Sequence, residues 1–214
     1  MSLLNRKPIS IGRAQRTLRD DRVFVVATDD TYAPAQYFEH LPLSRVKVIV
    51  LATPLNSGLS APAHVVDRLK DAFSNVRRRG EIQSGDEFWV LLDTDHHFRD
   101  QNLPGTLEAM RQARQAGLEV AVSNPCFELW LLLHHEDVPL GTVFANADAI
   151  VQRLRTILGE YNKTNIKTGH FPLTKVPDAI RRALVLQNGP AGPWPEETGT
   201  HVYLLMQRVL PLIA

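Results

Sequence analysis

The sequence predicts an α/β fold: a parallel sheet of about four strands flanked by helices, with a C-terminal helical extension. Three observations predict it. Short apolar runs alternate with helical stretches, each run ends in polar residues, and the chain beyond the fourth run has helical periodicity throughout.

The first run, Arg22 to Thr28 (RVFVVAT), ends in Asp29 and Asp30, and the second, Val46 to Ala52 (VKVIVLA), ends in Thr53-Pro54. The third, Phe88 to Leu92 (FWVLL), closes on Asp93-Thr94-Asp95, and the fourth, Leu118 to Val122 (LEVAV), closes on Ser123-Asn124-Pro125. Near-continuous apolar runs of this length read as strands covered on both faces. Helices are expected between them at Ala33 to His40, at Ala61 to Arg79 with Val65, Leu69 and Phe73 on one face, and at Gly105 to Ala116. Right-handed crossovers in such a β-α-β-α-β-α-β chain bring every strand's carboxyl end to one edge, where functional groups collect. The clusters Asp29/Asp30, Asp93/Asp95 and Asn124 all fall there.

Further helices are expected at Pro125 to His135, Asn146 to Glu160, Pro177 to Gln187 and Gly199 to Leu212, with proline and glycine interrupting at 53–62 and 187–198. Residues 1–135 then form the α/β core with a basic N-terminal arm, and residues 136–214 form a helical extension packed on it.

Composition narrows the function. With 214 residues, 44% hydrophobic and 22% charged, the chain can bury a real core. Lysine plus arginine (24) nearly cancel aspartate plus glutamate (23), which excludes a global field for polyanions and leaves local patches. A single cysteine, Cys126, excludes an internal disulfide and a multi-cysteine zinc site. The N-terminus lacks the apolar run of a secretory signal, and the most apolar segment, Phe127 to Leu133, contains Glu128 and is too short to span a bilayer. A cytoplasmic location is expected.

The chemistry-bearing residues are carboxylates. In extended chain Asp93 and Asp95 point to the same side of the sheet edge and can share one hard cation, although Asp-x-Asp after a strand also serves as a turn and helix cap. Asp29 or Asp30 supplies a third carboxylate, with an Asx-turn as the other use for one of them. Asn124-Pro125 has the grammar of a helix start, with Asn124 as N-cap. Glu128 stands in an otherwise apolar stretch, where a carboxylate is costly unless paired or bound to metal. His96 and His97 adjoin the acidic cluster, with His96 a candidate phosphate contact or proton shuttle. Basic residues cluster at Arg6, Lys7, Arg13, Arg16, Arg19 and Arg22, at Arg77-Arg78-Arg79, and at Lys163, Lys167 and Lys175. Lys163 is a candidate for neutralising a substrate phosphate.

Several segments together resemble the RloB-like family of prokaryotic defence proteins, which is related to the Toprim fold. They are the basic arm, the acidic end of the first strand followed by PAQYF (Pro34 to Phe38), the strand ending LLDTD (Leu91 to Asp95), and above all SNPCFELWLLLH (Ser123 to His134). Tyr161-x-Lys163 and a helix near Asp178 to Leu186 follow in the expected order, so the resemblance covers most of the chain. It implies a Toprim-like, Rossmann-like sheet and a Mg2+ or Mn2+ cofactor held by a glutamate at the first strand end and Asp-x-Asp at the third. Here the first strand offers Asp29 or Asp30 in place of the glutamate.

The expected function is therefore a Mg2+-dependent nuclease cleaving DNA or RNA in phage defence. Asp29, Asp30, Asp93, Asp95 and Glu128 are the catalytic candidates, with Asp29, Asp93 and Asp95 as metal ligands and Asn124, Lys163 and His96 contacting substrate. The alternative is a Toprim-like subunit that binds nucleic acid or protein and has lost chemistry with its glutamate. Nucleic acid is the expected partner, the resemblance adds an ATPase or restriction system, and a homodimer is left open. A haloacid-dehalogenase-type phosphotransferase also carries Asp-x-Asp after a strand. That chemistry expects its nucleophile on the first strand, whereas two strand-like runs precede Asp93.

Overall fold

A computed structural model describes residues 21–98, 100–189 and 192–213; the basic arm ahead of Asp21 lies outside the described residues. Strands β1 (Arg22–Thr28), β2 (Val46–Leu51), β3 (Glu87–Asp93) and β4 (Glu119–Asn124) pair in parallel. A fifth, β5 (Gly199–Thr200), pairs antiparallel with the end of β4, giving the order β2-β1-β3-β4-β5. The fold is α/β and Rossmann-like. The fifth strand corrects the helix expected from Gly199 onward: Gly199 and Thr200 meet Asn124 and Ser123 before helix α8 (Val202–Val209) begins.

Alternation within the strands builds two cores. Phe24 and Val26 of β1, Trp89 and Leu91 of β3, and Ala121 of β4 face one side. Val23, Val25, Ala27, Phe88, Val90, Leu92, Val120 and Val122 face the other. A period of two places successive side chains on opposite faces, so strands apolar at every position require cover on both. Helix α1 (Ala33–His40) covers the first face through Tyr37 and Phe38. Helices α2 (Pro62–Arg78) and α4 (Leu103–Gln115) cover the second through Val65, Val66, Leu69, Ala109, Met110 and Ala113.

The chain leaves β1 outward to β2 but leaves β3 outward to β4, so the strand order reverses between β1 and β3. That reversal opens a crevice at the carboxyl edge, the usual ligand position of open α/β sheets.

The remaining helices are α3 (Thr94–His97), α5 (Glu128–Leu132), α6 (Ala147–Leu158) and α7 (Val176–Gln187). They complete the first core: α5 buries all five of its residues, and Ile150, Leu154, Val176, Ile180, Val202 and Leu205 pack against them. Helix α6 is capped at both ends. Asn146 accepts the Ala149 N–H at 3.0 Å, and Gly159 adopts the left-handed conformation (φ 74°) that glycine favours at a helix end.

Candidate functional site

The carboxyl edge is tied together by hydrogen bonds between the ends of neighbouring strands. Asp29 Oδ2 accepts the Asp93 N–H at 3.0 Å, joining β1 to β3. The Pro125 carbonyl accepts the N–H groups of Thr94 and Asp95 at 3.1 and 3.2 Å, joining β3 to the chain after β4. Behind them Arg68 of α2 donates to the Thr28 carbonyl and the Thr53 hydroxyl, and Thr53 donates to the same carbonyl at 2.8 Å.

On this scaffold one carboxylate oxygen from each of Asp30, Asp93 and Glu128 lies within 4.8 Å of the other two, the one such cluster among the described residues. They come from the ends of β1 and β3 and from the first turn of α5. Asp30 divides its two oxygens. Oδ1 accepts the Tyr32 and Ala33 N–H groups and starts α1, while Oδ2 lies 3.8 Å from Lys163 Nζ. The Asx-turn and the ligand reading therefore coexist in one residue.

Asp29 and Asp95 line the same cleft of about 550 Å3 but stand outside the cluster. The extended geometry expected for Asp93-Thr94-Asp95 is not what forms. The chain turns helical at Thr94, because Pro125 captures both following amides, and Asp95 sits on α3, 3.4 Å from a well-exposed His96.

Asn124 also differs from its expected use as an N-cap. It ends β4, and α5 starts only at Glu128, not at Pro125. The Asn124 Oδ1 accepts the Thr94 hydroxyl, and its Nδ2 donates to the Pro195 and Glu196 carbonyls at 3.1 and 3.0 Å. Its polar atoms thus fasten the 195–196 loop to the acidic edge.

Burial and mutual repulsion shift the ionisation of the cleft's carboxylates. Burial first, then Asp29, Glu128, Asp30 and Asp95, push the Asp93 pKa well above the carboxylate range. Burial likewise raises Asp29 to about 7, against the lowering effect of the Asp93 N–H, and leaves its Oδ1 without a partner. Glu128 is raised by burial and by Asp30. Burial works against the Lys163 ammonium, yet Asp30, Glu128 and Asp93 outweigh it and raise its pKa. Cys126 is buried, and desolvation with the nearby carboxylates raises its thiol far from reactivity.

Six carboxylates line the cleft: Asp29, Asp30, Asp93, Asp95, Glu128 and Asp148. Among its described lining residues only Lys163 and Arg155 carry fixed positive charge. The oxygen-only donors of the Asp30, Asp93 and Glu128 cluster, an orphaned buried Asp29 oxygen and repulsion at Asp93 fit a hard divalent cation. Asp30, Asp93 and Glu128 are the residues placed to hold it.

Sequence reasoning missed Arg155, Asp148, Thr53 and Arg68. Asp148, Val151 and Arg155 share one helical face of α6, a signal visible in the spacing, but which face meets the cleft is a tertiary fact.

No helix among the described residues is long and apolar enough to cross a membrane. No curated protein and no solved structure matches the chain. A family model described as RloB-like protein does match, over residues 24–209 and thus most of the chain, and with that match the chain belongs to the RloB-like family.

Proposed function

We propose that the protein is a divalent-metal-dependent nuclease, Toprim-like in its chemistry, that hydrolyses phosphodiester bonds of DNA or RNA in defence against phage. The observation that carries this reading is the convergence of Asp30, Asp93 and Glu128 at the β1/β3 crevice. A bound Mg2+ or Mn2+ supplies charge neutralisation on the attacking and leaving oxygens.

The chain's own residues do the rest. Asp30 Oδ2, Asp93 and Glu128 provide the ligand oxygens, and Lys163, half-exposed beside Asp30, faces the phosphate that enters. Asp29 sits behind, with Oδ2 committed to the Asp93 N–H, so that Oδ1 is the atom on which it can hold a proton. Hydrolysis joins a water oxygen to phosphorus, breaks one P–O bond, and sends the water's proton to solvent or the leaving oxygen. A partner ATPase or restriction system is what the family resemblance adds.

The test is cleavage of labelled DNA and RNA, transfer RNA included, with magnesium or manganese. Asp93→Ala is expected to lower the rate at least about 1,000-fold, as loss of a group that places charge at the reacting phosphate does. Wild-type cleavage left intact in Asp93→Ala defeats the reading. Absence of both cleavage and manganese binding by calorimetry favours instead the non-catalytic binding subunit, to which the shorter first-strand aspartates point.

A further inference from the structure

We infer that Arg155 is a second phosphate anchor of the cleft, gripping the nucleic-acid backbone at a phosphate adjacent to the one that meets Lys163; the inference rests on the nuclease reading above. Arg155 lies on the α6 face that lines the cleft, whose lining also includes the uncharged Thr31, Leu55 and Ser60. Its Nε donates to the Tyr161 carbonyl at 3.2 Å. That bond fixes the direction of the guanidinium fork and leaves its terminal nitrogens without a partner among the described residues.

The other arginines of the extension near α5 behave differently. Arg153 is paired with Glu136 at 2.6 Å, and Arg181 and Arg182 share Asp137 at 3.1 and 2.8 Å. Arg155 instead forms no ion pair among the described residues, although its cleft holds six carboxylates. An oriented but unpaired guanidinium is a bidentate receptor for an anion, and phosphate fits its geometry.

The charge layout gives the strand a direction across the cleft. A polyanion entering an acidic cleft is repelled everywhere except at the cation site and along the wall built by Arg155 and Lys163. The backbone therefore follows that wall. The same Tyr161 carries the carbonyl that aims Arg155 and precedes Asn162 and Lys163, so both cations are set by one short segment.

The experiment measures binding of labelled single strands of DNA and RNA by fluorescence anisotropy over a series of KCl concentrations, with calcium replacing magnesium so that the strand is not consumed. Arg155→Gln is expected to weaken binding about tenfold and to reduce the slope of log K against log salt by roughly 0.7. In magnesium it raises KM while kcat changes less than about threefold, because the contact is uniform between ground and transition states. Arg155→Lys restores the salt slope but only part of the affinity, since an ammonium lacks the planar fork that grips two phosphate oxygens while Nε holds the Tyr161 carbonyl. Arg153→Gln, on the same helix but paired outside the cleft, leaves binding unchanged.

Wild-type affinity and slope in Arg155→Gln, or equal weakening by Arg153→Gln, overturns the assignment while leaving the nuclease reading standing. A wild type that binds no strand at all removes both.

Discussion

At the scale of single residues, Asp29 shows how burial decides the role of a carboxylate. Its pKa rises from the ordinary 3.8 to about 7, chiefly through desolvation. The folded protein then holds a proton that the unfolded chain releases. Asp29's contribution to stability is accordingly complete below 3.8 and is lost as pH rises through about 7. Asp29→Asn keeps an acceptor for the Asp93 N–H but cannot ionise. In metal-free protein, urea unfolding should therefore show the variant gaining stability relative to wild type as pH rises across that window. Stability curves that run parallel between the two proteins reject the burial argument. The sequence offered Asp29 or Asp30 and put Asp29 among the metal ligands, whereas Asp30 is the one that joins the cluster. The structure separates them by what each carboxylate touches, a backbone amide of β3 for one and the start of α1 with Lys163 for the other.

At the scale of elements, the acidic edge depends on ties between segments that are remote in sequence. Asn124 links the end of β4 to α3 through Thr94 and to the 195–196 loop through two carbonyls. Trp194 packs on Phe98, with ring centroids 5.8 Å apart, so the same loop also leans on the residue after α3. Asn124→Asp preserves shape but removes both donors and adds charge beside the cleft. The expected cost is about 2 kcal/mol, or roughly 4–8 °C in Tm. Thermal unfolding measures it, and an unchanged Tm means that the loop is held by other contacts. The strand and helix boundaries were largely legible, since β1 and α1 begin and end where the sequence places them. The exceptions fall at Asn124 to Glu128 and at Gly199, where β4 pairs with β5, and at Thr94, where the Pro125 carbonyl holds the turn into α3.

At the scale of the whole molecule, the first core is shared between the α/β half and the extension. Ile150, Leu154, Val176, Ile180, Val202, Leu205, Met206 and Val209 pack with Phe24, Trp89, Trp130 and Leu132. Burying one such aliphatic side chain contributes about 1.5–3 kcal/mol, against a net stability of roughly 5–15 kcal/mol for a typical domain. A chain ended at His135 loses all eight and should show no cooperative thermal transition by circular dichroism. A sigmoidal melt resembling that of the full chain rules out this interdependence.

Local chemistry along the chain determined the kinds of element, their alternation and the acidic ends of β1 and β3, because burial and turn preferences act over a few residues. It also marked Glu128 as anomalous within its apolar surroundings. Only the tertiary structure decided that Glu128 joins Asp30 and Asp93, that Asp95 turns onto α3, and that Arg155 faces the cleft. Those outcomes follow from strand order and helix rotation. Both are set by long-range packing of the two cores, which no short stretch of sequence encodes.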